Sequence, residues 1–152
     1  MNDSPDSAPE LRARALRLLA RREQSRAELA RKLAAHAEHR EALEQLLDTL
    51  AAKKQLSDER YAEERTRQLA RKYGAARIRF DLISKGVAAE TAARLSSASG
   101  DADFERARAI LARKYRRPAT TAAERARRIR FLQGRGFGYA IIRRLLSSSD
   151  TQ

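Results

Sequence analysis

The chain has 152 residues, a net charge of +13 and no cysteine, so disulfide bonds and thiol catalysis are excluded. No apolar run approaches the roughly 20 residues that cross a bilayer, and the first ten residues lack the basic start and apolar core of a signal peptide. Alanine accounts for 30 residues and valine for one, which favours helix over strand. We therefore expect an all-α protein of the cytoplasm.

Residues 1–10 are acidic and are predicted to be disordered. Apolar residues then recur at helical spacing and predict a three-helix unit over residues 11–57. Ser25 and Glu28 have the spacing of a capping box, which predicts the start of the second helix. The third helix has the clearest apolar stripe, formed by Leu43, Leu46, Leu47 and Leu50.

A second three-helix unit is predicted over residues 58–100, with Ser57 as the N-cap of its first helix. Gly74 is predicted to end that helix by adopting a left-handed backbone. A third unit is predicted over residues 101–147, and residues 148–152 are predicted to fray.

Two further glycines mark predicted helix ends. With Gly86 just past the end of a helix, Leu82 and Val87 are placed to form the hydrophobic contact that closes such a turn. Gly136 repeats this arrangement with a leucine and a phenylalanine.

Three short segments recur in the same order. Residues 69–73 recur as 111–115, residues 77–80 as 128–131, and residues 85–87, conservatively altered, as 135–137. A unit of about 45 residues is typical of stacked helical repeats. The sequence therefore predicts three tandem three-helix repeats forming a curved, elongated, solenoid-like array.

These segments also resemble a known family. Residues 58–62, Gly74, Arg77-Ile78 and residues 81–87 resemble the central repeat of the RecX family, residues 131–137 its last repeat and residues 25–33 its first. The resemblance covers residues 11–146. The chain departs from the family pattern at residues 34–37, where family members often carry a glycine.

The resemblance implies a regulator of the RecA recombinase. RecX-like proteins lie in the groove of the RecA filament on single-stranded DNA and inhibit its ATP hydrolysis and strand exchange, which modulates recombination, DNA repair and the SOS response. Single-stranded DNA is then expected as a secondary, non-specific ligand.

The basic residues form clusters, and residues 102–152 carry 13 basic and four acidic residues, a net charge of +9. A solvated surface is the simplest interpretation of these clusters, but a basic turn recurs at corresponding places in two repeats. The electrostatic field of so much positive charge attracts polyanions. The predicted partner-binding or DNA-binding residues are Arg71, Lys72, Arg77, Arg79, Lys85, Arg113, Lys114, Arg116, Arg117, Arg127, Arg128, Arg130, Arg135, Arg143 and Arg144.

Nothing in the sequence predicts catalysis. His36 and His39 are better interpreted as solvent histidines than as metal ligands, because no carboxylate or thiol completes a site. The glycines at 134, 136 and 138 follow a predicted helix rather than a strand, which argues against a dinucleotide site. We expect no enzyme activity, metal or cofactor.

An alternative function remains open: a free-standing, sequence-independent nucleic-acid-binding protein acting through its basic helical repeats. A helix-turn-helix transcription factor is less well supported, since no helix carries an obvious set of base-reading side chains. No membrane partner is expected, and the oligomeric state is not predicted.

Phe80 is the hardest residue to place. It lies about 200° around its helix from Ile78, which starts the apolar face. Because large aromatic residues on helices usually belong to the core, we predict that Phe80 is buried under a neighbouring repeat. An exposed Phe80 would instead be a candidate anchor for a base or for a partner's pocket.

Overall fold

The computed structural model describes residues 4–97 and 100–149, and these ranges contain helices and no strand. The predicted all-α class is confirmed. The helices are α1 (Ala8–Arg21), α2 (Arg26–Leu33), α3 (Arg40–Ala52), α4 (Asp58–Leu69), α5 (Ala75–Ser84), α6 (Ala89–Ser96), α7 (Gly100–Lys114), α8 (Ala122–Gly134) and α9 (Tyr139–Ser149).

The helices pack in consecutive groups of three, α1–α3, α4–α6 and α7–α9, and each group encloses its own buried cluster. Leucines dominate the first cluster, Tyr61, Ile78 and Leu82 lie in the second, and Leu132 and Ile142 lie in the third. The tandem three-helix organisation is therefore confirmed. The curvature of the array stays a prediction.

The first helix begins closer to the N-terminus than the composition predicts. Helix α1 begins at Ala8, inside the predicted disordered segment 1–10, so that prediction is wrong for the end of the segment. The backbone amide of Asp6 donates to the carbonyl of His36 (2.8 Å), and its carboxylate accepts from the Nε of Arg14 (2.8 Å). The Arg14 guanidinium holds the pKa of Asp6 below its ordinary value. These bonds tie the start of α1 to its own unit.

At the other end of the chain, α9 continues to Ser149, inside the segment 148–152 that is predicted to fray. Residues 150–152 lie outside the described range.

Gly86 and Gly136 both adopt the left-handed conformation that the sequence predicts, each with a φ of 90°. The amide of Val87 donates to the carbonyl of Leu82 (3.0 Å), and the amide of Gly86 donates to the carbonyl of Ile83 (3.0 Å). Corresponding bonds follow α8. The two helix ends therefore have the hydrogen bonds of the Schellman motif, which satisfies carbonyls that a helix end leaves free.

Gly74 behaves differently, and its predicted left-handed backbone is wrong. Its φ is −87° and its ψ is 176°, and it is the N-cap of α5. A Cβ at this position would lie 2.6 Å from the carbonyl oxygen of Gly136 and 2.7 Å from Cδ1 of Phe137. Close approach of the third unit, rather than an unusual backbone, therefore requires glycine here.

The glycine turns also set the register between repeats. Counted from the following glycine, Phe80 lies six residues upstream and Phe131 lies five, so the match of residues 77–80 with 128–131 is shifted by one position. On a helix, a shift of one position rotates a side chain by about 100° around the axis. Phe80 is 72% exposed, so its predicted burial is wrong, whereas Phe131 is half-buried and packs edge-to-face on Tyr115.

The first and second units meet at the start of α2. Ser25 is fully buried; its hydroxyl accepts from the amide of Glu28 (3.1 Å) and donates to the carbonyl of Lys85 (2.7 Å). A Cβ on Gly86 would lie 2.4 Å from the Cβ of Ala27, so this glycine allows close contact between the units as well as the turn. The start of a middle helix thus docks on the glycine turn of the next unit.

We expect Ser25→Ala to lower the free energy of unfolding by about 2 kcal/mol, of which the lost N-cap contributes ~1 kcal/mol and the unpaired Lys85 carbonyl a similar amount. Ser57→Ala is the matched control, because Ser57 accepts from the amide of Arg60 and is an N-cap within its own unit. Urea denaturation measures both. Equal losses in the two variants would mean that the bond between units contributes nothing.

Candidate partner and nucleic-acid interface

The second and third units meet through the same kind of joint. At the N-terminus of α5, the amide of Gly74 donates to the carbonyl of Arg135 (2.7 Å), and the amide of Ala76 donates to the carbonyl of Gly136 (3.3 Å). The start of the middle helix again docks on the glycine turn of the following unit. This joint places the basic turns of two repeats side by side.

Arginine side chains reach across this joint to backbone carbonyls. Arg77 donates from Nη1 to the carbonyl of Gly134 (3.2 Å). Arg113 donates from Nη2 to the carbonyl of Arg71 (3.3 Å), and Arg135 donates from Nη1 to that of Lys72 (3.4 Å). Each guanidinium is therefore oriented by the opposite unit.

Two aromatic rings hold two of these arginines and a lysine. The guanidinium carbon of Arg77 lies 4.9 Å from the ring centroid of Tyr73, and that of Arg135 lies 5.4 Å from it. Arg135 also lies 5.2 Å from the ring of Phe131, and the Nζ of Lys114 lies 4.9 Å from it. These cation–π contacts restrict the cations. A nucleic-acid base that stacks on a ring face occupied by a cation would have to displace that cation.

Between the two units lies an open cleft of about 650 Å³, which we call the junction cleft. No carboxylate lines it, and in the described part of the chain none of its basic side chains forms an ion pair. Unpaired cations held close together are a favourable site for a polyanion. The lining residues are Arg71, Lys72, Tyr73, Arg77, Ile110, Arg113, Lys114, Phe131, Gly134 and Arg135.

The cleft near the joint between the first and second units has a different charge. Three glutamates, Glu23, Glu28 and Glu64, line it together with basic residues. Glu23 pairs with Arg60 (2.8 Å), and the Arg22 guanidinium lowers the pKa of Glu28. The repeated architecture therefore yields one charge-balanced cleft and one cationic cleft, and the difference lies in the side chains.

Six of the fifteen predicted basic residues thus meet in the junction cleft. Arg128 instead lies over the ring of Tyr115 (4.6 Å), and Arg144 lies over Phe104 (4.2 Å) and pairs with Asp101 (3.2 Å). The predicted residues that do not line the cleft are Arg79, Lys85, Arg116, Arg117, Arg127, Arg128, Arg130, Arg143 and Arg144.

The sequence does not predict that Tyr73 and Phe131 hold cations; it places them only within the recurring segments. The available signal was the tyrosine that ends each recurring segment, at 73 and 115, directly after a basic pair. In the structure each of these tyrosines holds an arginine.

Other kinds of site find no support in the described residues. They contain no group of three or more metal-ligating side chains, and none of their helices is long and apolar enough to cross a membrane. His39 is the N-cap of α3, where its Nδ1 accepts from the amide of Ala42 (3.1 Å).

Comparison with known proteins now identifies the family. Residues 57–94 match the family model for the second three-helix domain of RecX, and residues 101–146 match that for the third. The regulatory protein RecX of Leptothrix cholodnii is 43% identical over 140 residues, which cover 92% of this chain and 89% of the relative. This chain belongs to the RecX family. The regulatory protein RecX of Ralstonia nicotianae is 39% identical over 140 residues, covering 92% and 88% of the two chains.

The fold agrees with that of a solved RecX. The crystal structure of RecX from Lactobacillus salivarius superposes with a TM-score of 0.83 at 20% identity, covering 95% of this chain and 97% of that one. The junction cleft therefore lies between the second and third RecX domains, with Gly74 in one and Gly136 in the other. The relatives are named regulatory proteins, so the family is one of regulators.

Proposed function

We propose that this RecX protein binds the RecA recombinase filament on single-stranded DNA and inhibits its ATP hydrolysis and strand exchange, and that it thereby modulates recombination, DNA repair and the SOS response. Family membership supports the regulatory role. The observation that carries the nucleic-acid part is the junction cleft, where six basic side chains meet without a carboxylate. A protein acting on a filament assembled on DNA meets phosphates beside protein, and the cleft suits phosphates.

The geometry of the cleft favours phosphate binding without sequence preference. Carbonyls and rings already orient the arginines, so they lose little side-chain freedom when they bind an anion. Because the rings of Tyr73 and Phe131 already contact cations, base stacking is expected to contribute less than phosphate contacts. Phosphate contacts position a nucleic acid but carry no sequence information. Single-stranded DNA is therefore proposed as a secondary, non-specific ligand.

The direct test measures ATP hydrolysis by the recombinase on single-stranded DNA. We expect inhibition at less than one copy of this protein per recombinase protomer, because a protein that caps or bridges a filament affects many protomers. Addition of bare single-stranded DNA is the control. If it fully restores hydrolysis, sequestration of DNA explains the inhibition and the proposal is wrong.

A free-standing nucleic-acid-binding function is the second candidate, and the cationic junction cleft favours it as a specific observation. A pull-down from lysate at moderate salt with added nuclease separates the two. Recovery of the recombinase after nuclease treatment supports the regulator, whereas loss of every partner supports the nucleic-acid binder.

A further inference from the structure

The outer face of α5 exposes apolar side chains that the fold does not use. Phe80 is 72% exposed and Ile83 is 46% exposed, and Ala76 is also exposed. At about 100° per residue these three lie within roughly 60° of one another, and we call them the α5 stripe. The opposite face of α5 carries Ile78 and Leu82, which are fully buried in the second domain. Helix α5 is therefore apolar on two sides and packs on one.

The spacing of the α5 stripe matches a known mode of recognition. Ala76, Phe80 and Ile83 occupy positions i, i+4 and i+7, which are the anchor positions of a helix that lies in an apolar groove of another protein. Single-stranded DNA stacks its bases on aromatic rings and has no preformed groove for the isoleucine and the alanine beside the ring. The pattern therefore favours a protein over a base as the occupant.

The charges beside the α5 stripe indicate which charges a partner's groove would carry at its rim. Arg79 lies on one side of the stripe, and Arg77, whose guanidinium lies in the junction cleft, lies on the other. The acid of this helix, Asp81, is bound to the Arg65 guanidinium (3.0 and 3.1 Å), which neutralises it. The flanks of the stripe are therefore positive, and a complementary groove has carboxylates at its rim.

A second copy of this chain is a poor occupant. Each copy carries a net charge of +13, and pairing two α5 stripes would bring Arg77 and Arg79 of both copies together. Like charges at an interface oppose association. A partner of different sequence and acidic surface has no such cost.

We propose that the α5 stripe docks into an apolar, acid-rimmed groove on the protein component of the filament, with Phe80 as its central anchor. This inference rests on the proposed function and assigns its protein contact. The amino end of α5 enters the junction cleft through Arg77, so one helix contacts phosphate at its start and protein along its outer face.

The test compares Phe80→Ala with Tyr139→Ala in the full-length protein. Tyr139 is a matched control, because it is an aromatic residue on α9 with 66% exposure. The readout is equilibrium binding to recombinase filaments formed on single-stranded DNA. We expect Phe80→Ala to weaken binding at least about 30-fold, the loss typical of an interface hot spot, and Tyr139→Ala to weaken it less than about threefold.

Two further measurements on the same variants complete the test. Since Phe80 is exposed, its replacement should leave the melting temperature within about 2 °C of wild type. Binding of free single-stranded DNA should also be unchanged, because the phosphate-binding cations remain.

Each contrary result has a distinct meaning. Failure of the wild-type protein to bind the filament overturns the proposed function, and the docking site with it. Equal filament binding by wild type and Phe80→Ala overturns the docking site alone. Loss of free-DNA binding in Phe80→Ala would identify the α5 stripe as a platform for bases. A dimer that the wild-type protein forms in sedimentation and the Phe80→Ala protein does not would identify the stripe as a contact between copies. Either result overturns the proposal.

Discussion

Gly136→Ala is expected to lower the free energy of unfolding by about 3 kcal/mol and to separate the third domain from the second. A residue other than glycine at a φ of 90° costs roughly 1–2 kcal/mol. The added Cβ would also lie 2.4 Å from the Cβ and 2.6 Å from the backbone nitrogen of Arg77, and such overpacking typically costs about 1–3 kcal/mol. Because the clash involves the start of α5, the second domain has to move.

Gly134→Ala is the matched control two residues upstream. Gly134 ends α8, has no positive φ and has nothing within 4 Å of a Cβ added to it. Alanine there is expected to stabilise the protein by up to about 1 kcal/mol, since glycine is the poorer helix former. Urea denaturation measures the stability, and limited proteolysis between the domains reports their separation. A Gly136→Ala protein as stable and as protease-resistant as wild type would contradict the close packing of this joint.

Replacing Arg71, Lys72 and Lys114 together by glutamine is expected to weaken single-stranded DNA binding about 100-fold near 0.1 M salt. All three are exposed and line the junction cleft. If the six cations of the cleft neutralise six phosphates, log affinity falls with log salt at a slope near −4, at about −0.7 per phosphate. Removing three contacts should change the slope to about −2. This change in the salt dependence corresponds to the expected loss of affinity of about 100-fold near 0.1 M salt.

A triple replacement of Arg12, Arg17 and Arg21 by glutamine removes the same charge from the exposed side of α1. Fluorescence anisotropy with labelled oligonucleotides of different sequence, over a series of salt concentrations, compares the two variants. We expect the α1 variant to keep a slope near that of wild type, and the cleft variant to lose affinity equally for every sequence. Equal losses in both variants would attribute binding to net charge rather than to the cleft.

Local features of the chain were enough to predict its helical class and several helix ends. Ser25 and Ser57 accept from the amides three residues ahead, and Gly86 and Gly136 have left-handed backbones. An N-cap or a glycine turn involves residues within about six positions of one another. Their hydrogen bonds join residues that are close in the sequence, so the sequence pattern alone identifies them.

The functional surface depended on tertiary structure. The amide of Gly74 binds the carbonyl of Arg135, and Phe137 excludes a side chain at Gly74, although these residues are separated by about 60 positions in the sequence. No local pattern encodes that approach, so the sequence predicts only a left-handed helix end at Gly74.

Phe80 also shows that a local sequence pattern does not determine burial, in this case within one helix. The match of residues 77–80 with 128–131 suggested that Phe80 and Phe131 are equivalent, but the glycine turns set them one position apart. One position is about 100° of rotation, enough to move a ring from a half-buried site onto the surface. Burial depends on which neighbours surround a helix, and those neighbours are chosen by the packing of the three helices in each domain.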